Sequence, residues 1–257
     1  MSTSTQKTVA IFGATGGTGL ASLKLALKAG HKVNVLARTP SKLSDLSSQY
    51  PNLNVIKGDI RDIASMKSTL TLNNRVVDIV ISAIGMVIER VGLGLSSRDP
   101  TICEEGTKAI LSALSQLEAE KTVLVPAGGP EFVLLSTTGI SDKGRDIPLA
   151  MMPMYHWMLS VPHKDKKKME ETMIHGEGRT RKWVMIRPSF LWDGESKGLG
   201  KIRISTETPG ASPEKKDDGD VAVGYVIHRE DVGLWIVEEC IKGDASKWHG
   251  KMVTLTY

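Results

Sequence analysis

Cysteine is scarce: Cys103 and Cys240 are the only two in 257 residues, too few for a disulfide framework and without the spacing of a zinc site. Both are expected to be buried fillers in a chain that works in a reducing cytosol, and no metal is expected. No apolar run approaches the ~20 residues needed to cross a bilayer, which argues against a membrane partner. The opening Met1-Ser2-Thr3-Ser4-Thr5-Gln6-Lys7 lacks a hydrophobic centre, so residues 1–7 read as a short mobile tail rather than a signal peptide. A strong charge of one sign is also missing. Lys and Arg total 33 against 29 Asp and Glu, a net charge of +4, and the basic residues are scattered, which argues against a nucleic-acid partner. No internal repeat and no separating linker is visible, so one domain over residues 1–257 is the simplest reading.

From Val9 to Gly19 an apolar strand runs into three glycines spaced three apart and then into a helix. In a dinucleotide turn of this form Gly13 permits the tight bend off the strand. Gly16 lets a pyrophosphate approach bare backbone, and Gly19 lets the helix pack close to the sheet. Thr15, Gly17 and Thr18 complete the turn, and the helix start offers free N–H groups and a partial positive charge to the anion. Leu20, Leu23 and Leu27 recur at helical spacing, with Gly30 as the terminator.

About 20 residues past the glycines, where an NAD site places an acid on the ribose hydroxyls, the second strand ends in Arg38. An acid there repels a 2′-phosphate, whereas an arginine grips it with a planar fork of donors. Thr39, Ser41 and Lys42 follow with hydroxyl donors and a second cation. The expected cofactor is NADP(H).

Short β-rich runs then alternate with helical patterns: Asn54–Ile56, Val76–Ile81, Phe132–Leu135 and Trp183–Ile186. That alternation predicts an α/β fold, a doubly wound and mostly parallel sheet of Rossmann type, its strands continuously apolar because helices cover both faces. Thr101 and Glu104 have the spacing of a capping box at the start of a long helix anchored by Ile102, Ile110, Leu111 and Leu114. The insertion from Lys121 to Pro130 carries the Pro and Gly of a turn but no assignable conformation. Substrate-side elements are expected mainly within 150–180 and 190–230, with the polar stretch 207–220 either a lid or an inert loop.

Gly13-Ala14-Thr15-Gly16-Gly17-Thr18-Gly19, Gly58-Asp59, Ser82-Ala83-Ile84-Gly85 and Ile186-Arg187-Pro188 together resemble the atypical short-chain dehydrogenase/reductases, specifically the NmrA-like NAD(P)-binding group, over nearly the whole chain. The resemblance implies that Asp59 and Ile60 flank the adenine. It also implies that Ala83, Ile84 and Gly85 line the adenosine side, and that the backbone from Pro188 to Leu191 meets the nicotinamide amide. Such proteins usually combine a Ser or Thr after the fifth strand with a Tyr and a Lys four residues apart. Here Tyr155 is followed four positions later by Leu159, so that pair is missing. Ser136 and Thr138 offer hydroxyls that could bind a carbonyl or simply cap the strand end.

Within His163-Lys164-Asp165-Lys166-Lys167-Lys168-Met169-Glu170, Lys166 and Glu170 resemble the Lys-x-x-x-Glu segment of the NmrA-like group. By that likeness Lys166 holds the nicotinamide ribose, a positioning role. His163, three residues earlier on the same helical face, is a candidate proton relay. Met151, Met152, Met154, Tyr155, Trp157 and Met158 form either a core or an apolar substrate wall. The resemblance implies Asp231 as the acid that caps and docks the penultimate helix.

Three activities remain open on these residues: an NADPH-dependent reductase of a small or medium apolar carbonyl or enone, as in secondary metabolism; an NADP-retaining isomerase; and an NADP(H)-sensing regulator. The expected partner is a small-molecule substrate, with the protein a monomer or homodimer.

Overall fold

The computed structural model describes residues 5–91, 94–97, 99–210 and 221–257, and the side chains of 88–91, 94–96 and 154–156 lie outside the description. Residues 1–4 of the expected tail, 211–220 of the polar stretch, and the Met154 and Tyr155 side chains therefore fall outside it. Eight strands form the main sheet: β1 Thr8–Phe12, β2 Lys32–Ala37, β3 Leu53–Lys57, β4 Ile79–Ser82, β5 Glu131–Leu135, β6 Trp183–Pro188, β7 Arg203–Glu207 and β8 Lys251–Thr256. Their order is β7-β8-β6-β5-β4-β1-β2-β3. Every neighbouring pair is parallel except β7 with β8. The expected doubly wound, mostly parallel Rossmann-type sheet is what the chain forms.

The helices are α1 Gly17–Lys28, α2 Ser44–Gln49, α3 Ile63–Leu70, α4 Ile102–Glu120, α5 Met152–Met158, α6 Ser160–Ile174 and α7 Arg229–Trp235, the last continued as a π-helix through Lys242. Alternate residues of each strand face opposite layers. Val9, Ile11, Val35 and Ile186 pack with Leu23 and Leu27 of α1 and Val232 and Trp235 of α7. On the other face Ala10, Phe12, Val80 and Phe132 pack with Met66 of α3, Ile110 and Leu114 of α4, and Met169 and Met173 of α6. Both faces are covered, which is why the strands carry no polar alternation. The sheet order reverses between β1 and β4, and the crevice beyond their carboxyl ends is where open α/β sheets bind ligands.

Local details depart from the sequence expectation in two places, and a third receives a conformation that the sequence left unassigned. The Val76–Ile81 run is broken, because Asp78 turns back to β1: its carboxylate accepts from Thr8 N at 2.9 Å and Thr8 Oγ1 at 2.8 Å. Only Ile79–Ser82 joins the sheet, while Arg75–Val76 pairs with Thr71–Leu72. The capping box at Thr101 and Glu104 does not form. Thr101 makes no side-chain cap and donates instead to Glu105 at 2.6 Å, while the Asp165 carboxylate accepts from Cys103 N and Glu104 N, both at 2.9 Å. An acid 61 residues downstream thus does the local motif's work. The Lys121–Pro130 insertion folds back on the short hairpin, with Val76 N donating to Leu124 O at 2.8 Å and Leu124 N to Asn74 O at 3.0 Å. Gly30 closes α1 as expected, in a left-handed conformation (φ +84°) with Gly30 N on Leu27 O and His31 N on Ala26 O, the paired bonds of a Schellman motif.

Candidate cofactor and active site

A cavity of about 790 Å³ opens at the β1/β4 crevice. Its centre is the glycine turn. Gly13 has φ +82°, and a Cβ there would lie 2.5 Å from the Ala83 carbonyl oxygen, so the ends of β1 and β4 touch backbone to backbone. A Cβ on Gly19 would lie 2.3 Å from the Gly13 carbonyl oxygen, which seats the first turn of α1 against the strand end. Gly16 differs: a Cβ there meets nothing within 4 Å, although Gly16 lines the cavity. The three glycines therefore divide into two that packing requires and one that faces open space. Thr18, buried at the same turn, keeps an Oγ1 with no hydrogen-bond partner among the described residues. A buried hydroxyl without an acceptor or donor costs stability unless a ligand completes it. The turn, the open Gly16 and the orphaned Thr18 hydroxyl fit a bound pyrophosphate.

One end of the cavity is basic. Arg38, Thr39 and Lys42 line it with exposed side chains, and neither Arg38 nor Lys42 forms a salt bridge among the described residues. Two uncommitted cations at a cavity rim are a ready site for a phosphate monoester. Asp59, Ile60, Ala83, Ile84 and Gly85 also line the cavity. The other end is apolar, with Met86, Val87, Ile102, Leu135 and Leu191.

The Lys166 ammonium comes up from α6 beneath this wall. It is 9% exposed and donates to Ile84 O at 2.8 Å and to Leu135 O, the two backbone carbonyls at the ends of β4 and β5. Asp165, beside it, fixes α6 to the N-terminus of α4. Cys103 donates its thiol to the same Ile84 carbonyl at 3.4 Å, and burial pushes that thiol up to about 11, so it is an inert filler.

Ser136 and Thr138 sit after β5 but face inward. Ser136 is buried and donates to Glu170 Oε1 at 2.6 Å. Thr138 is fully buried and donates to Pro188 O at 3.3 Å. Glu170 in turn forms a two-pronged pair with Arg187, at 2.9 and 2.7 Å, both side chains 1% exposed. Arg187 also reaches Glu207 at 2.7 Å. Burial works against the Arg187 charge, yet Glu170, Glu207 and Asp146 hold the guanidinium more firmly protonated than usual. The second half of the Lys-x-x-x-Glu segment is thus a buried anchor that ties α6 to β6 and β7. His163 is half-buried one turn before Lys166, and neither it, Lys166, Ser136, Thr138 nor Pro188 lines the cavity.

Other expectations find definite places. Lys167 pairs with Asp142 and Lys168 with Glu104 on the surface. Trp157 is 84% exposed, in neither a core nor the cavity wall. Asp231 does not cap its own helix. Fully buried, it accepts from Ser196 Oγ, Lys197 N at 2.8 Å, Gly198 N at 3.0 Å and Tyr257 Oη, pinning the loop after β6 and the final residue to α7. Burial opposes the Asp231 charge, but these four donors hold the carboxyl below the usual range. Among the cavity residues that the sequence did not single out are Met86, Val87 and Arg229; the place of Arg229 depends on the packing of α7 against α1.

A family model described as NAD(P)H-binding matches residues 13–241. Among curated proteins, the reductase pytE of Aspergillus terreus is 41% identical over 276 residues, covering 99% of each chain. The oxidase pynE of Aspergillus niger is 33% identical over 285 residues, covering 97% of this chain and 98% of that one. Among solved structures, a short-chain dehydrogenase/reductase of Veillonella parvula in complex with NADP has a TM-score of 0.66 at 13% identity, covering 98% of this chain and 95% of that one. The anaerobillin reductase ChuY of Escherichia coli O157:H7 has a TM-score of 0.64 at 18% identity, covering 97% and 96%. These structural likenesses carry the fold. With the family model spanning most of its length and a relative similar from end to end, the chain belongs to the NAD(P)H-binding family.

Proposed function

We propose that this NAD(P)H-binding oxidoreductase prefers NADPH and reduces a small or medium apolar carbonyl or enone. The observation that carries the reading is a single cavity with uncommitted Arg38 and Lys42 at one end, the glycine turn in the middle and an apolar wall at the other. Bound NADPH supplies a hydride. Arg38 and Lys42 hold the 2′-phosphate, and the turn holds the pyrophosphate. Lys166, beneath the cavity wall, donates to the Ile84 and Leu135 carbonyls and so holds in place the two wall residues against which the ribose and ring are positioned. Met86, Val87 and Leu191 exclude water from an apolar substrate. His163 is the candidate proton relay on the same helix. The protein acts as a monomer or homodimer in the cytosol, where its two free cysteines stay reduced.

A second reading, an NADP-retaining isomerase, is favoured by one observation: the Ser136 and Thr138 hydroxyls are engaged with Glu170 and Pro188 rather than with the cavity. The test is a panel of quinones, enones, aldehydes and ketones followed by NADPH absorbance and product mass spectrometry. The reductase reading expects NADPH loss matched to product, and faster than with NADH. Substrate consumed with no net change in NADPH replaces it with the isomerase. No turnover, with NADPH altering the affinity of a protein partner, replaces it with a regulator.

A further inference from the structure

Arg229 opens α7, and α7 lies against α1 in backbone contact: a Cβ on Gly233 would lie 2.8 Å from Ala21 Cβ and 2.9 Å from Ser22 N. Arg229 is one helical turn before Gly233, and Gly17 one turn before Ala21, so the same contact brings Arg229 over the glycine turn. A Cβ on Gly17 would lie 3.6 Å from Arg229 Cδ and 3.7 Å from its Nε. The guanidinium lines the cavity there. Its described partner is Asp193, at 2.8 Å, whose carboxylate is 87% exposed. An ion pair to so exposed a group is screened and weak, and five N–H donors leave the guanidinium able to serve a second anion. The Asp193 loop does not depend on this pair, since Glu195 O bonds His228 Nδ1 at 2.6 Å and Asp231 holds residues 196–198.

We propose that Arg229 is a pyrophosphate clamp, closing on the phosphates from the side opposite the α1 backbone, with Asp193 as a resident anion that competes for it. The proposal rests on the dinucleotide reading of the cavity and adds a ligand that the glycine motif does not contain. It makes Arg229 common to every dinucleotide, whereas Arg38 serves only those with a 2′-phosphate. Asp193 weakens the resting hold on cofactor and eases its release.

Calorimetric titration of the full chain with NADPH, NADH, ADP-ribose and adenosine 2′-monophosphate tests it. Arg229→Ala is expected to weaken the first three alike, by about tenfold or more, and to leave adenosine 2′-monophosphate unchanged. Arg38→Ala is expected to show the reverse pattern, losing NADPH and adenosine 2′-monophosphate but keeping NADH. Arg229→Lys recovers part of the loss, and Asp193→Asn binds all three pyrophosphate ligands as well as or better than the parent. Should Arg229→Ala be poorly folded, Arg229→Gln, which keeps the stem without the charge, replaces it. Equal binding by parent and Arg229 variants overturns the clamp. So does a loss confined to NADPH, or an Asp193→Asn loss as large as that of Arg229→Ala. A parent protein that binds none of the three pyrophosphate ligands overturns the cavity assignment itself.

Discussion

Arg38 and Lys166 make demands on ligand and fold that single substitutions separate. Arg38 is exposed and forms no salt bridge among the described residues, so removing it leaves the fold alone and subtracts only what a ligand gains. Arg38→Ala is expected to weaken NADPH by ~1.5–3 kcal/mol, the range of a charged hydrogen bond, and to leave NADH within error; titration calorimetry reads both. Lys166 is buried among carbonyls, so Lys166→Ala is expected to lower turnover and also removes a donor from the Leu135 carbonyl and one of two donors from the Ile84 carbonyl. Lys167→Ala and Lys168→Ala remove surface pairs to Asp142 and Glu104, of a kind worth little, and are expected to turn over like the parent once a substrate is in hand. Three equal variants would refute the positioning role. Lys166, singled out by a resembling segment, lies beneath the cavity rather than in its lining, whereas the place of Arg38 at the cavity was legible because it follows the glycine turn at a fixed interval. Asp165 and Arg229 were not, since each acts on an element far away in sequence.

Element boundaries show the same division between local and distant causes. Gly30 ends α1 by its own left-handed conformation, and the chain around it declares the stop. The start of α4 carries an equally local signature in Thr101 and Glu104, yet Asp165 from α6 takes the N–H groups of Cys103 and Glu104. A carboxylate held inside the fold outcompetes a hydroxyl that can turn to Glu105 and water. Asp165→Ala is therefore expected to cost ~1–3 kcal/mol, as an uncapped helix with one buried and one part-buried donor left unpaired, while Thr101→Ala costs a few tenths. Urea unfolding of the two variants measures the difference, and equal costs would return the cap to Thr101. Strand β8 was hidden for a related reason. Lys251–Thr256 lies between β6 and β7 in the sheet, but its Met252-Val253-Thr254-Leu255 core is short. Nothing in that run says that it pairs with β6, some 60 residues earlier, until the sheet is assembled.

For the whole molecule, the glycine turn couples the fold to its ligand, and Gly16 isolates that coupling. Gly13 and Gly19 cannot accept a side chain without parting β1, β4 and α1, so substitution there confuses folding with binding. Gly16 sits in extended backbone, φ −174°, with open space where its Cβ would go. A β-branched residue suits that conformation, and Gly16→Val is expected to unfold at the same temperature as the parent when both are free of cofactor. A ligand that binds only the folded chain adds RT ln(1 + [L]/Kd), about 2.7 kcal/mol at a hundredfold excess over Kd. For a chain of this size that raises the parent's Tm by roughly 5–10 °C. In Gly16→Val the methyl groups occupy the approach of the pyrophosphate, so the same NADPH concentration is expected to shift Tm by less than about 1 °C. Scanning calorimetry with and without NADPH measures both. A valine variant that keeps the parent's full shift would move the phosphate site away from the turn, while one already destabilised without cofactor would show that Gly16 serves the fold as Gly13 and Gly19 do.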